Sequence, residues 1–195
     1  MSNEVRPLDS VRQDPELLAA AMRQNLRSLL DSYHSPVDVL GEPIQNAVDE
    51  VTRPDASRPG VVEVIVDVPD NALEVQDNGR GMTQAEVIRY LVPNITGKQE
   101  AFRRGETRGH KGVGLSYLAY GCAECVVECR TEVGDEHFGF RITGGRAWAV
   151  GDGAAADEPV AHPLAVSDLV LQGPGTRVRI VLSGEADAVE IQSIP

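Results

Sequence analysis

Apolar positions along the chain change period near residue 60, from helical spacing to strict alternation. Leu17, Leu18, Ala21, Met22, Leu29 and Leu30 follow Asp14-Pro15 at helical spacing. An aspartate that caps, then a proline whose missing N–H costs nothing at the first helical position, predict a helix from residue 15 to about Tyr33. A break at Ser35-Pro36 leads into GEPIQNAVDE, residues 41–50. There Glu42, Asn46 and Asp49 fall within an arc of roughly 60°, opposite Leu40, Ile44, Ala47, Val48 and Val51. Such a stripe is either the wet side of an ordinary helix or one wall of a site, and the window alone leaves both open. Pro43 removes an N–H, and its ring clashes with the Val39 carbonyl in a continuous helix, so the helix either begins here or kinks here.

After the polar loop TRPDASRPG, VVEVIVDV alternates at period two, Pro69-Asp70-Asn71 reads as a turn, and ALEVQD returns as a second strand of a hairpin. Thr83 and Glu86 stand at capping-box spacing before a helix that Pro93 stops. Residues 94–111 show no clear period, and SYLAYGC reads as a helix. The remainder, ECVVECRTEV, HFGFRIT, RAWAV and TRVRIVL, is strand-like, interrupted by a soft loop, GDGAAADEP. Helices early and strands late predict an α+β fold, a mostly antiparallel sheet covered on one face by helices.

Composition narrows the function. The chain has 195 residues and a net charge of -12, which argues against a whole-surface affinity for nucleic acid or anionic membrane. No apolar run is long enough to span a membrane, and the amino terminus lacks the layout of a signal peptide, so a cytoplasmic protein is expected. Cys122, Cys125 and Cys129 invite a metal or redox reading. A strand places Cys125 and Cys129 on one face with Val127, and no histidine cluster completes a tetrahedral set, so buried, inert thiols fit better.

Three features carry chemistry. Asp77 shares parity with Leu73 and Val75 and therefore faces the core at a strand end, where a carboxylate needs a donor from protein or ligand. Asn78-Gly79-Arg80-Gly81-Met82 follows, with two glycines that let the backbone turn sharply. Residues 94–111 then hold Lys98, Arg103, Arg104, Arg108 and Lys111 against Glu100 and Glu106, a basic island suited to a lid over an anion or to a plain surface loop. This segment runs into Gly109-His110-Lys111-Gly112-Val113-Gly114-Leu115, glycines opening a helix whose N–H groups can hold phosphate. It matches neither a P-loop nor GxGxxG.

The ordered series ExxxNxxD (Glu42, Asn46, Asp49), DxGxGM (Asp77, Gly79, Gly81, Met82), GxxGxGL (Gly109, Gly112, Gly114, Leu115) and a late GT (Gly175, Thr176) resembles the GHKL superfamily of ATP-binding domains. That superfamily includes DNA gyrase, the large heat-shock chaperones, histidine kinases and MutL-type mismatch-repair ATPases, and NAVDE leans toward the chaperone and MutL side. The resemblance covers about residues 36–182. It implies the Bergerat fold, a two-layer α/β sandwich with a flexible ATP lid at about 93–111. It further implies Glu42 as the base that activates water, Asn46 as a Mg2+ ligand with Asp49 nearby, and Asp77 as acceptor for the adenine amino group, supported by the Thr176 hydroxyl. Gly79, Gly81 and Met82 shape that end, while Gly109, His110, Lys111, Gly112, Val113, Gly114 and Leu115 face the phosphates and Lys98 adds a lid charge. Pro43 departs from the family's usual aliphatic residue and weakens the case for efficient hydrolysis.

The expected organisation is a helical extension (1–35), the ATP-binding domain (36–183) and a tail or linker (184–195). The expected function is a Mg-ATP-dependent conformational switch with slow hydrolysis in isolation, acting with a downstream domain or partner protein and forming an ATP-dependent dimer. The alternatives are a protein kinase of the histidine or serine type and a non-hydrolysing nucleotide-binding scaffold. Neither a membrane nor a nucleic-acid partner is expected.

Overall fold

The computed structural model describes residues 14–32, 36–93, 114–151, 158–182 and 191. Helix α1 (Pro15–Asp31) begins as its sequence requires, with the Asp14 carboxylate accepting the N–H groups of Glu16 and Leu17. Helix α2 (Pro36–Val51) is a single element with Pro43 inside it. A helix start at Pro43 is therefore overturned; the helix begins seven residues earlier. Pro43 leaves the Val39 carbonyl without its usual donor four residues on, and its ring is buried.

The hairpin forms as expected from β1 (Val62–Asp67) and β2 (Ala72–Asp77). Its turn closes with the Asn71 N–H donating to the Val68 carbonyl at 3.1 Å. Asn71 sits at φ 50°, a left-handed position that asparagine tolerates. Helix α3 (Gln84–Leu91) carries the full capping box, the Thr83 hydroxyl accepting from the Glu86 N–H and the Glu86 carboxylate from the Thr83 N–H. Then follow α4 (Gly114–Gly121), β3 (Glu124–Arg130), β4 (His137–Thr143), α5 (Gly145–Val150), β5 (His162–Pro163) and β6 (Gly175–Val181). The six strands lie in the order β1-β2-β6-β3-β4-β5, and every neighbouring pair is antiparallel. Helices pack on one face, which gives the α+β sandwich.

RAWAV corrects the strand expectation, because it forms α5. Gly145, Trp148 and Ala149 are buried at i, i+3 and i+4, a spacing that five residues cannot distinguish from alternation. Docking decides it. The Trp148 ring lies 5.9 Å from that of Tyr120 on α4, and the Arg23 guanidinium stands 5.6 Å from the Trp148 ring. Arg27 of α1 donates through Nε to the Ala149 carbonyl at 2.9 Å and reaches the Gly151 carbonyl, capping the helix end.

The core joins Leu73, Val75, Cys125, Val127, Cys129 and Ile180 of the sheet to Leu26, Ala47, Val87 and Leu118 of the helices. The three cysteines are buried and free, and burial pushes the Cys122 and Cys129 thiols up to about 12, so they stay protonated and inert at neutral pH. The opposite sheet face holds an acid that alternation does not predict as buried. Glu128 is 0% exposed, accepts the Val170 and Leu171 N–H groups at 2.7 and 2.8 Å, and pairs with Arg177 and His137. The chain between β5 and β6 crosses that face as a strap held by this carboxylate and by Arg130, which donates to the Gln172 carbonyl at 3.2 Å.

Candidate functional site

β2 ends with Asp77 pointing into the helix side, as its parity requires. It is 7% exposed and lies opposite Thr176 in the ladder to β6. Its Oδ1 accepts two backbone N–H groups, from Gly79 at 2.8 Å and Thr176 at 3.3 Å. Both donors land on the same oxygen. Oδ2 has no protein donor among the described residues. Burial pushes the carboxyl up to about 6, the two N–H donors oppose the rise, and the Glu50 charge adds to it. Thr176 thus meets Asp77 through its backbone N–H, and its side chain also hydrogen-bonds the Cys129 thiol.

The turn after Asp77 is shaped by Gly81. Its φ of +70° suits glycine, and a Cβ there would stand 2.2 Å from the Arg130 carbonyl oxygen. The Arg80 carbonyl accepts the Glu132 N–H at 2.8 Å, so the loop is stitched to the end of β3. Met82 packs on the core beside it.

Helix α2 supplies the second wall. Glu42, Asn46 and Asp49 are half-buried, whereas Gln45 and Val48 take the exposed side. The stripe in GEPIQNAVDE therefore looks inward. Glu42 and Asn46 converge on Gly114, the first residue of α4: a Cβ there would lie 2.6 Å from Glu42 Oε2 and 2.7 Å from Asn46 Nδ2. A glycine at that point lets the amino end of α4 approach both side chains. Leu115 beside it packs on the core. The Asp49 carboxylate accepts from Gln45 Nε2 at 2.6 Å.

Glu50, one residue further, does reach the Asp77 loop. Its Cγ would lie 2.4 Å from a Cβ on Gly79, and its Oε1 lies 3.4 Å from Arg80 Nε. Sequence reasoning missed Glu50. The signal was the even spacing Glu42, Asn46, Glu50, which keeps one helix face over two turns. Outside this wall, a shallow cleft is lined by Glu50, Arg53, Arg58, Asn78, Gly79 and Arg80, and each of its arginines has a carboxylate partner. Lys98, Gly109, His110, Lys111, Gly112 and Val113 lie outside the described residues.

One face of α2 thus runs from Gly114, at Glu42 and Asn46, to the Asp77 loop, at Glu50. Eight residues of helix cover about 12 Å. The family model for histidine kinase-, DNA gyrase B- and HSP90-like ATPases matches residues 33–186. The chain belongs to this family. It is an ATP-binding domain of the GHKL type, and the matched span takes in both walls just described. A comparison with curated proteins finds none that matches the chain. Among the described residues, no helix of this GHKL domain is long and apolar enough to cross a membrane.

Proposed function

We propose that this GHKL domain is a Mg-ATP-dependent conformational switch that hydrolyses ATP slowly in isolation. The observation that carries the reading is Asp77, a buried carboxylate whose two protein donors both sit on Oδ1. The adenine amino group would donate to Oδ2, and the triphosphate would extend along α2 toward the amino end of α4. The span between the two ends of the wall is comparable with the reach of an extended nucleoside triphosphate.

At the Gly114 end, Asn46 would contribute an amide oxygen to Mg2+ and Glu42 would orient and deprotonate the attacking water. Among the described residues no group of three or more His, Cys, Asp or Glu side chains could hold a metal. A single amide ligand fits Mg2+ completed by phosphate oxygens and water, the arrangement this ion favours in nucleotide sites. Bound there, Mg2+ would neutralise phosphate charge as attack proceeds. Gly109, His110, Lys111, Gly112 and Val113 would supply further N–H groups and Lys98 a charge.

Slow turnover follows from Pro43. The residue after Glu42 lacks the N–H that would hold the Val39 carbonyl, so the turn carrying the base is held less firmly. A downstream domain or partner protein would complete the phosphate end and read out closure, with dimerisation on ATP as its output. Phosphate release assays test this directly. The expected result is clear ATP binding with turnover well below one per second, lost in Glu42→Ala with binding retained. Many turnovers per second from the isolated chain would defeat it.

A further inference from the structure

Among the described residues β1 is the outermost strand, paired on one side only. The Val61 carbonyl accepts the Asn78 N–H at 3.2 Å. Bonded positions alternate along an antiparallel ladder, so Val62, Val64 and Val66 direct their own N–H and C=O groups away from β2. The register runs unbroken for six residues with no bulge, and the strand, VEVIVD, holds neither lysine nor proline. These are the devices by which edge strands are normally blunted. The far edge has them: β5 is two residues long and ends in proline.

The side chains make the contrast sharper. Val64, Ile65 and Val66 are 42%, 47% and 52% exposed, with Val61 and Val68 flanking them at 58% and 48%. Val64 and Val66 extend the helix-side row, whereas Ile65 lies on the open face between Glu63 and Asp67. Asp67 has Arg179 at 3.9 Å. Glu63 has no ion pair among the described residues.

We propose that the β1 edge docks an extended segment of a partner protein that adds a seventh strand, with the five-residue pattern basic, aliphatic, aliphatic, aliphatic, basic. The aliphatic positions lie opposite Val64, Ile65 and Val66, and the basic ones opposite Glu63 and Asp67. Opposite residues across a strand pair share a face, so each basic residue meets an acid and each aliphatic residue an aliphatic one. The pattern is its own reverse, so it fits in either strand direction. A second copy of this chain fits less well, because each chain carries -12 and would bring an acidic edge against its own like.

The test titrates the full chain, isotopically labelled, with the peptide Thr-Lys-Val-Ile-Val-Lys-Thr and follows amide shifts and hydrogen exchange. The expected result is slowed exchange at Val62, Val64 and Val66, no binding by the same peptide with glutamate in place of lysine, and weaker binding at high salt. Val66→Pro removes one outward N–H while keeping the ladder to β2; it is expected to lose about tenfold or more in peptide affinity with ATP binding unchanged. Glu63→Lys is expected to weaken the basic peptide by a similar factor and to admit the acidic one. Equal binding of both peptides, insensitivity to both substitutions or no β1 response overturns the proposal. So does protection of those three amides in the free protein, which at all concentrations means an edge covered from within the chain and on concentration alone means a second copy.

Discussion

Burial outweighs the two N–H donors on Oδ1, so the Asp77 carboxyl titrates near 6 instead of the usual 3.8. Between about pH 4 and 6 the folded protein holds a proton there that the unfolded chain releases, so stability falls as pH rises through that window. Above about pH 6 the cost of burying the ionised group is complete, on the order of 3 kcal/mol. Asp77→Asn keeps an oxygen for both N–H donors and removes the charge. It is expected to be more stable than the parent by about 1–3 kcal/mol at pH 8, with the gain roughly halved at about pH 5 and gone by about pH 3.5, as denaturant unfolding across these pH values will show. The new NH2 would face the adenine amino group donor to donor, so ATP binding is expected to be lost. In the parent, ATP affinity is expected to fall as pH drops below about 6, where Oδ2 loses its charge. At Gly81, alanine would meet the Arg130 carbonyl at a left-handed φ, and a loss of at least about 2 kcal/mol in unfolding free energy is expected.

Helix α2 is where Pro43 meets Glu42, the proposed base. Pro43→Ala restores an N–H for the Val39 carbonyl and steadies the turn that carries Glu42; turnover is expected to rise by about tenfold with ATP affinity unchanged, measured by phosphate release and calorimetry. The elements themselves were largely legible. Asp14-Pro15, the Thr83 and Glu86 capping box and the alternation of β1 and β2 are local signals, and each formed as read. RAWAV was not legible, since five residues fit either period and contacts with α1 and α4 choose the helix. The burial of Glu128 was not legible either, because the Val170 and Leu171 N–H groups that satisfy it arrive from about forty residues away. In the candidate site, Asp77 could be read from parity alone; Glu50 continues the spacing of Glu42 and Asn46, but its contact with Arg80 spans 30 residues and was not legible.

Across the described residues, one sheet face carries the helices and the proposed nucleotide wall, and the other carries the strap and a ladder of arginines and acids. Arg177 sits between Glu74 and Glu128, and Arg179 between Asp70 and Glu124, so the cations on that face are matched by acids within it. We propose that the output of this domain passes to protein partners, through its edges or a further domain. All of it rests on ATP occupying the space between α2, α4 and the Asp77 loop. Calorimetric titration of the chain with ATP and Mg2+, run in parallel on Asp77→Asn, is the most direct test. The expected result is saturable binding by the parent and none by a variant that unfolds at an equal or higher denaturant concentration; binding of equal strength by both, or by neither, would contradict the account.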